Sequence, residues 1–330
     1  MTGPAGHGRR RRRWPIVVAV LAAVAVVAAG LVAVRVLDAR GGGAASDQSA
    51  SSSPGGQSGT VLDRVEVSGR PGATPVVTVT GPLDVVDEKV REIVTGAGRA
   101  ITAGSPVVLA VTAFDGSDGT NLSPHGRPQL RAGRATAEDL GKDLADQVVG
   151  RTEGTRLVFV RRVAEGQSGF SGASDIEVDV VDLLPSVATG AEPSSPSSGA
   201  ESPLAVALGD EGPIISHQGD APSNLTTQVL LAGDGAQVGD GDTVIAQFIV
   251  TGWTDGLVRT STWSTGVPQA IDLSTAMPGL RDALVDQRVG SRIAVTIPPD
   301  QAAGDDTLCA VIDILGTEPA TDPTAESSSD

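Results

Sequence analysis

The sequence predicts an α+β fold in which a transmembrane helix precedes two tandem β-rich domains, each with a short helix. Between residues 238 and 316, apolar and β-branched runs alternate with Gly, Asp and Pro turns around one helix-like segment. A similar order of runs occurs upstream at a distance of about 135 residues, which indicates a duplicated domain and not a solenoid repeat. Residues 15–34, which precede both copies, are apolar and uncharged.

The N-terminal segment has the pattern of a membrane anchor. Residues 9–13 are all arginine, and about 20 helical residues after them would span a hydrocarbon layer of ~30 Å. The arginines predict a cytoplasmic segment at 1–14, a transmembrane signal anchor at 15–37, and a single-pass protein of the cell membrane with extracytoplasmic domains. A cleaved signal peptide is the alternative, although its apolar region usually has only about 7–15 residues.

Composition predicts the remaining boundaries. Gly, Ser and Pro dominate two linkers at 38–60 and 189–203, and residues 318–330 form an acidic tail that we expect to be disordered. The domains between these segments are 61–188 and 204–317. Because a linker of this composition makes few contacts, we expect the two domains to fold independently.

The elements of the second domain follow from its residue pattern. A turn at Gly241 and Asp242 precedes a strand at 243–250, whose alternating apolar residues predict one buried face. Pro278 begins a helix in which Leu280 and Leu284 share a face. Strands at 293–297 and 307–315 complete the domain.

This order resembles the FKBP-type peptidyl-prolyl isomerases across the whole segment. The resemblance is carried by these elements of the sequence: G-D-x-V at 241–244, T-G at 251–252, D-G at 255–256, P-G-x-x-x-A-L-V at 278–285, V-G-x-R at 289–292, I-P-P at 297–299 and T-L-x-x-x-I-D-I-L at 307–315. It implies an antiparallel sheet of about five strands wrapped around a short helix, with a proline-binding pocket between them. It also implies isomerase activity in this domain without a catalytic acid or base, a cofactor or a metal.

The resemblance maps the pocket onto named positions, at several of which the family carries an aromatic ring. Those positions are Val250, Arg259, Thr260, Gln269, Ala276, Met277, Leu280, Ala303 and Ala310. Trp263 is a candidate replacement ring, and a loop tryptophan packed on the sheet edge is the alternative. Because such an enzyme lowers a barrier of roughly 18–20 kcal/mol by holding the amide twisted between apolar walls, the missing rings predict weak catalysis.

The first domain is predicted from the same pattern and is the more divergent copy. Thr136 is a candidate N-cap for a helix whose Leu140, Leu144 and Val148 have helical spacing, and no P-G-F/W element precedes that helix. His125 is interpreted as an exposed turn residue, because no other metal-ligating histidine or cysteine lies near it in the sequence.

Two functions remain open at this point. The first is an isomerase or folding helper for exported or cell-envelope polypeptides, and the second is a non-catalytic module that holds their Pro-containing segments. A net charge of −16 without a basic stripe beyond the N-terminus argues against nucleic-acid binding. The Ala, Gly, Val and Arg usage, with lysine only at Lys89 and Lys142, is typical of GC-rich actinobacterial genes.

Overall fold

The computed structural model describes residues 60–163, 174–193 and 203–320, and in these ranges the protein is mostly β-sheet. The strands are β1 (Val65–Ser68), β2 (Val76–Val79), β3 (Lys89–Val94), β4 (Pro106–Asp115), β5 (Gln129–Arg134), β6 (Arg156–Arg162), β7 (Ile176–Leu184), β8 (Leu204–Gly209), β9 (Gly212–His217), β10 (Thr226–Leu231), β11 (Thr243–Gly252), β12 (Val258–Ser261), β13 (Gln269–Asp272), β14 (Arg292–Ile297) and β15 (Leu308–Glu318). The helices are α1 (Ala137–Leu140), α2 (Lys142–Val148) and α3 (Pro278–Leu284).

The two halves of the chain contain antiparallel sheets with the same order of strands. The first sheet has the order β3-β6-β7-β4-β5, and the second has the order β10-β14-β15-β11-β12, with β13 pairing the other end of β11. Each sheet is accompanied by a two-stranded hairpin, β1–β2 in the first half and β8–β9 in the second. This shared order is what a tandem duplication produces.

Both faces of the second sheet are covered. On one face α3 packs over a core that includes Phe248 and Ile312, and on the other face the β8–β9 hairpin packs over Trp253 and Cys309. The expectation that the strand at 243–250 buries one face is therefore wrong, because on the second face Ile249 packs partly buried under the hairpin and Ile245 is buried against the first half of the chain. The β8–β9 hairpin lies upstream of the sequence elements that carry the resemblance, so those elements do not predict that this face of the sheet is covered.

The first sheet has the same three layers. Leu157 and Phe159 face the helices, whereas Phe114 and Val178 face the β1–β2 hairpin. The single helix predicted here is divided into α1 and α2 at Gly141, whose φ of 80° interrupts the helical backbone. The predicted N-cap is confirmed, since the Thr136 hydroxyl accepts a hydrogen bond from the Asp139 backbone N–H at 3.3 Å.

The two halves share a buried apolar cluster, contrary to the expectation of few contacts between them. Its buried members are Val108, Ala110, Leu184, Ile245 and Leu315. Leu130 of β5 packs on Gly316 of β15 so closely that a Cβ atom at Gly316 would lie 2.5 Å from the Leu130 Cδ1 atom. The Ala188 N–H, beyond β7, donates to the Asp313 carboxylate of β15 at 2.8 Å.

The predicted transmembrane helix is corrected. In the ranges that the structure describes, no helix is long and apolar enough to cross a bilayer. The three α-helices of the described ranges have four to seven residues, against about 20 for a span. Residues 15–37 lie outside the described ranges, so the fold class is restated as two mostly-β units, and the single-pass membrane location is not retained.

Candidate functional site

The candidate site is the surface where α3 meets the second sheet, and it is called the cleft below. Val250 of β11 is the register partner of Thr260 in β12 and of Ala310 in β15, so the three side chains form a row on one face. The next row on that face contains Phe248 and Ile312, which belong to the core beneath α3. Strand register therefore brings three of the predicted pocket residues together.

The start of α3 closes the other side of the cleft. Gly279 allows this close approach, because a Cβ atom there would overlap the Ile297 side chain of β14. The Gly279 N–H donates to the Gln301 carbonyl at 3.0 Å, which ties the loop after β14 to the helix. As a result, Ala276, Met277 and Leu280 pack partly buried against the core, and Ala303, in the same loop as Gln301, is also partly buried.

Arg259 forms a polar end to the cleft. It is the bulged residue of β12. Its guanidinium lies against Gly252, on the face of the sheet that also carries the side chain of Leu308. The guanidinium pairs with Asp255 at 3.0 Å and with Asp306 at 3.3 Å. A hydrogen bond from the Leu257 N–H, assisted by Arg259, holds the pKa of Asp255 below its ordinary value.

Gln269 and Trp263 lie outside the row. Gln269 is an exposed residue of β13 opposite Ala246, at the far end of β11. Trp263 packs on the hairpin face instead: a Cβ atom at Gly212 would lie 2.8 Å from its ring, and the Arg292 guanidinium carbon lies 5.9 Å from the ring centroid. Of the tryptophans in the described ranges, Trp253 and Trp263 both lie on the hairpin face and neither lines the cleft.

Two shallow cavities in the described residues lie elsewhere. One, of about 500 Å³, lies between β1 and β3 and is lined by residues that include Val67 and Arg91. The other, of about 480 Å³, borders Asp240 and Arg281. Neither is lined by Val250 or Leu280.

The corresponding surface of the first sheet, called the cleft of the first half, carries charged side chains. In β6 and β7, Arg161 is the register partner of Glu177, and Phe159 is the partner of Asp179. These residues occupy the places of Ile297, Leu308, Val295 and Ala310 in the second sheet. Sequence reasoning missed this cluster, although acidic residues at alternate positions of the apolar run 176–184 were a visible signal.

Comparison with known proteins identifies part of the chain. Residues 235–313 match the family model described as FKBP-type peptidyl-prolyl cis-trans isomerase. The outer membrane protein MIP of Legionella longbeachae is 37% identical over 83 residues, which cover 25% of this chain and 35% of that protein. A probable FK506-binding protein of Corynebacterium glutamicum is 26% identical over 106 residues, which cover 29% of this chain and 90% of that protein.

Solved structures of the same kind are also similar. Escherichia coli FkpA is 26% identical, with a TM-score of 0.29 over 37% of this chain and 55% of that one. The three FKBP domains of wheat FKBP73 are 16% identical, with a TM-score of 0.25 over 70% of this chain and 94% of that one. These TM-scores support no conclusion of their own. The sequence matches confirm the predicted resemblance in the second half of the chain, where residues 235–313 are similar to the FKBP-type peptidyl-prolyl cis-trans isomerase family.

Proposed function

We propose that the cleft between α3 and the second sheet binds proline-containing polypeptide segments and isomerises them slowly. The observation that supports this proposal is the row of Val250, Thr260 and Ala310 beside Met277 and Leu280. These side chains are small or aliphatic at positions where the resemblance implies rings. Such a surface excludes water from a prolyl ring, but it offers little area with which to grip a twisted amide.

The core beneath the cleft does not compensate. Phe248 is the one aromatic residue among the described residues of that cluster, and it is 7% exposed. A wall ring buries about 150–250 Å², so several missing rings remove several kcal/mol of substrate contact at roughly 25 cal/mol per Å². Each ~1.4 kcal/mol lost from the transition state lowers the rate about tenfold. Binding is therefore expected to survive better than catalysis.

The test is a prolyl isomerisation assay on the full chain with a short proline peptide. Leu280→Trp combined with Ala303→Tyr restores two rings, and at about 1–2 kcal/mol for each ring it is expected to raise the rate at least tenfold. Val258→Trp is the matched control, because it adds a ring at an exposed position of β12 whose partner, Thr251, lies on the hairpin face. A wild-type rate close to that of an aromatic-lined relative would contradict slow catalysis. Absence of peptide binding to wild type and double variant alike would contradict the site.

A binding module without catalysis is the second candidate. The observation that favours it is Arg259, whose ion pairs with Asp255 and Asp306 place a charged group at the end of the cleft. A charged, hydrated wall favours holding a segment over desolvating its amide. Peptide titration followed by NMR distinguishes the two candidates, because a pure binder shifts the peptide signals without increasing exchange between the cis and trans forms.

A further inference from the structure

The charged cleft of the first half contains two carboxylates and one guanidinium. The Arg161 Nη2 atom lies 2.6 Å from the Glu177 Oε1 atom, and its Nε atom lies 2.9 Å from the Asp179 Oδ2 atom. Glu177 and Asp179 stand two residues apart on β7, so their side chains point to the same face, where each is 12% exposed. One guanidinium therefore faces two nearly buried carboxyl groups.

We propose that this cleft is a proton-binding site: Glu177 and Asp179 share one proton beside Arg161, and loss of that proton as the pH rises loosens β6 and β7. Like-charged carboxylates in a poorly hydrated site cannot both ionise without cost, so one of them retains a proton. The site replaces the apolar row of the second domain, in which Ile297, Leu308 and Ala310 carry no titratable group.

The charges on the surrounding elements favour the same proton. Asp115 of β4 is the register partner of Glu177. Burial opposes its ionisation, but hydrogen bonds from Ser117 and Ser174 outweigh burial and lower its pKa to about 2. Glu88, just before β3, has a raised pKa because of burial and the nearby Asp143 of α2, with Arg161 acting in the opposite direction. Each nearby carboxylate that stays ionised makes it more costly for Glu177 and Asp179 to be ionised at the same time.

The direction of the pH effect is the reverse of ordinary acid denaturation. Burial, opposed by Arg161 and reinforced by Glu177, raises the pKa of Asp179 from 3.8 to about 7. Between about pH 4 and pH 7, the folded form therefore keeps a proton that the unfolded form has already released. Stability of the first sheet consequently rises as the pH falls through 7 towards 4, and it is lowest above pH 7.

Hydrogen exchange of the full chain, read by mass spectrometry and corrected for intrinsic exchange rates, tests this proposal. Between pH 8 and pH 5.5, protection of peptides from β6 and β7 is expected to increase roughly thirtyfold, the change implied by a folded pKa near 7. Peptides from β14 and β15 serve as the internal reference, since their cleft positions are apolar. Unchanged or reduced protection of β6 and β7 at pH 5.5 would overturn the proposal.

Two variants assign the effect to the pair. Asp179→Asn removes the carboxyl group that burial keeps protonated, so it is expected to abolish the roughly thirtyfold change. Glu177→Gln removes the neighbour that reinforces burial, so it is expected to reduce the change. Asp175→Asn is the matched control, because Asp175 is a half-exposed carboxylate paired with Arg162 just before β7, and it should leave the change intact. If the wild-type increase persists in both pair variants, the proton is bound elsewhere and the proposal fails.

Discussion

Each sheet contains a buried ion pair of the same geometry, whereas the clefts beside the two pairs differ. Arg156 and Asp182 in the first sheet, and Arg292 and Asp313 in the second, make the same fork, with Nε–Oδ1 distances of 2.6 Å and Nη2–Oδ2 distances of 2.7 Å in both. The cleft positions, in contrast, are ionic in the first sheet and apolar in the second. The framework of this fold and the lining of its cleft have therefore diverged separately.

The ion pair of each sheet contacts other segments of the chain on the hairpin side. In the first half, Arg156 donates to the carbonyls of Gly69 and Arg70 in the β1–β2 loop. In the second half, Asp313 accepts from the Ala188 N–H, and Arg292 lies beside the Trp263 ring. A charge buried this deeply is costly unless it is paired, so neither partner can be lost alone.

The largest expected effect comes from breaking that pair in the second sheet. Asp313→Asn leaves Arg292 buried without a counter-charge and is expected to cost about 3–5 kcal/mol of the free energy of unfolding. Asp182→Asn should cost less, because Arg156 keeps its carbonyl acceptors in the hairpin loop. Urea unfolding followed by the fluorescence of Trp253 and Trp263 measures the first variant, and hydrogen exchange of β6 and β7 measures the second. Equal costs would show that the carbonyls do not stabilise Arg156.

A smaller effect tests whether the two sheets depend on each other. Gly316→Ala places a methyl group against Leu130 of the other half and is expected to cost about 1–3 kcal/mol by overpacking. Leu130→Ala removes the obstacle, so in the double variant Gly316→Ala should cost much less. Urea unfolding of the four proteins gives the coupling energy. Additive costs would mean that this contact between the halves does not form in solution.

The sequence predicts the second domain better than the first for a physical reason. Turn glycines, Pro278 and the spacing of Leu280 and Leu284 are local signals, and strand register then determines that Val250 lies beside Ala310. The position of Trp263 is not a local property, because it depends on a hairpin more than 40 residues upstream in the sequence. The pairing of Arg161 with Glu177 and Asp179 likewise depends on the register between β6 and β7, which residue spacing alone does not give.

The smallest effect is expected at Cys309, where the side chain of the second sheet is replaced by the one at the corresponding position of the first sheet. Cys309 in β15 corresponds in register to Val178 in β7, and both are fully buried. Because the two side chains are similar in size and apolar character, Cys309→Val is expected to change the free energy of unfolding by less than about 1.5 kcal/mol. A larger loss in urea unfolding would mean that the hairpin faces differ as much as the clefts do.

Burial raises the pKa of the Cys309 thiol to about 11, so a thiol reagent at pH 8 should label the unfolded chain readily and the native chain slowly. Rapid labelling of the native chain would show that the β8–β9 hairpin opens, and that this layer covers the second sheet less firmly than the structure indicates.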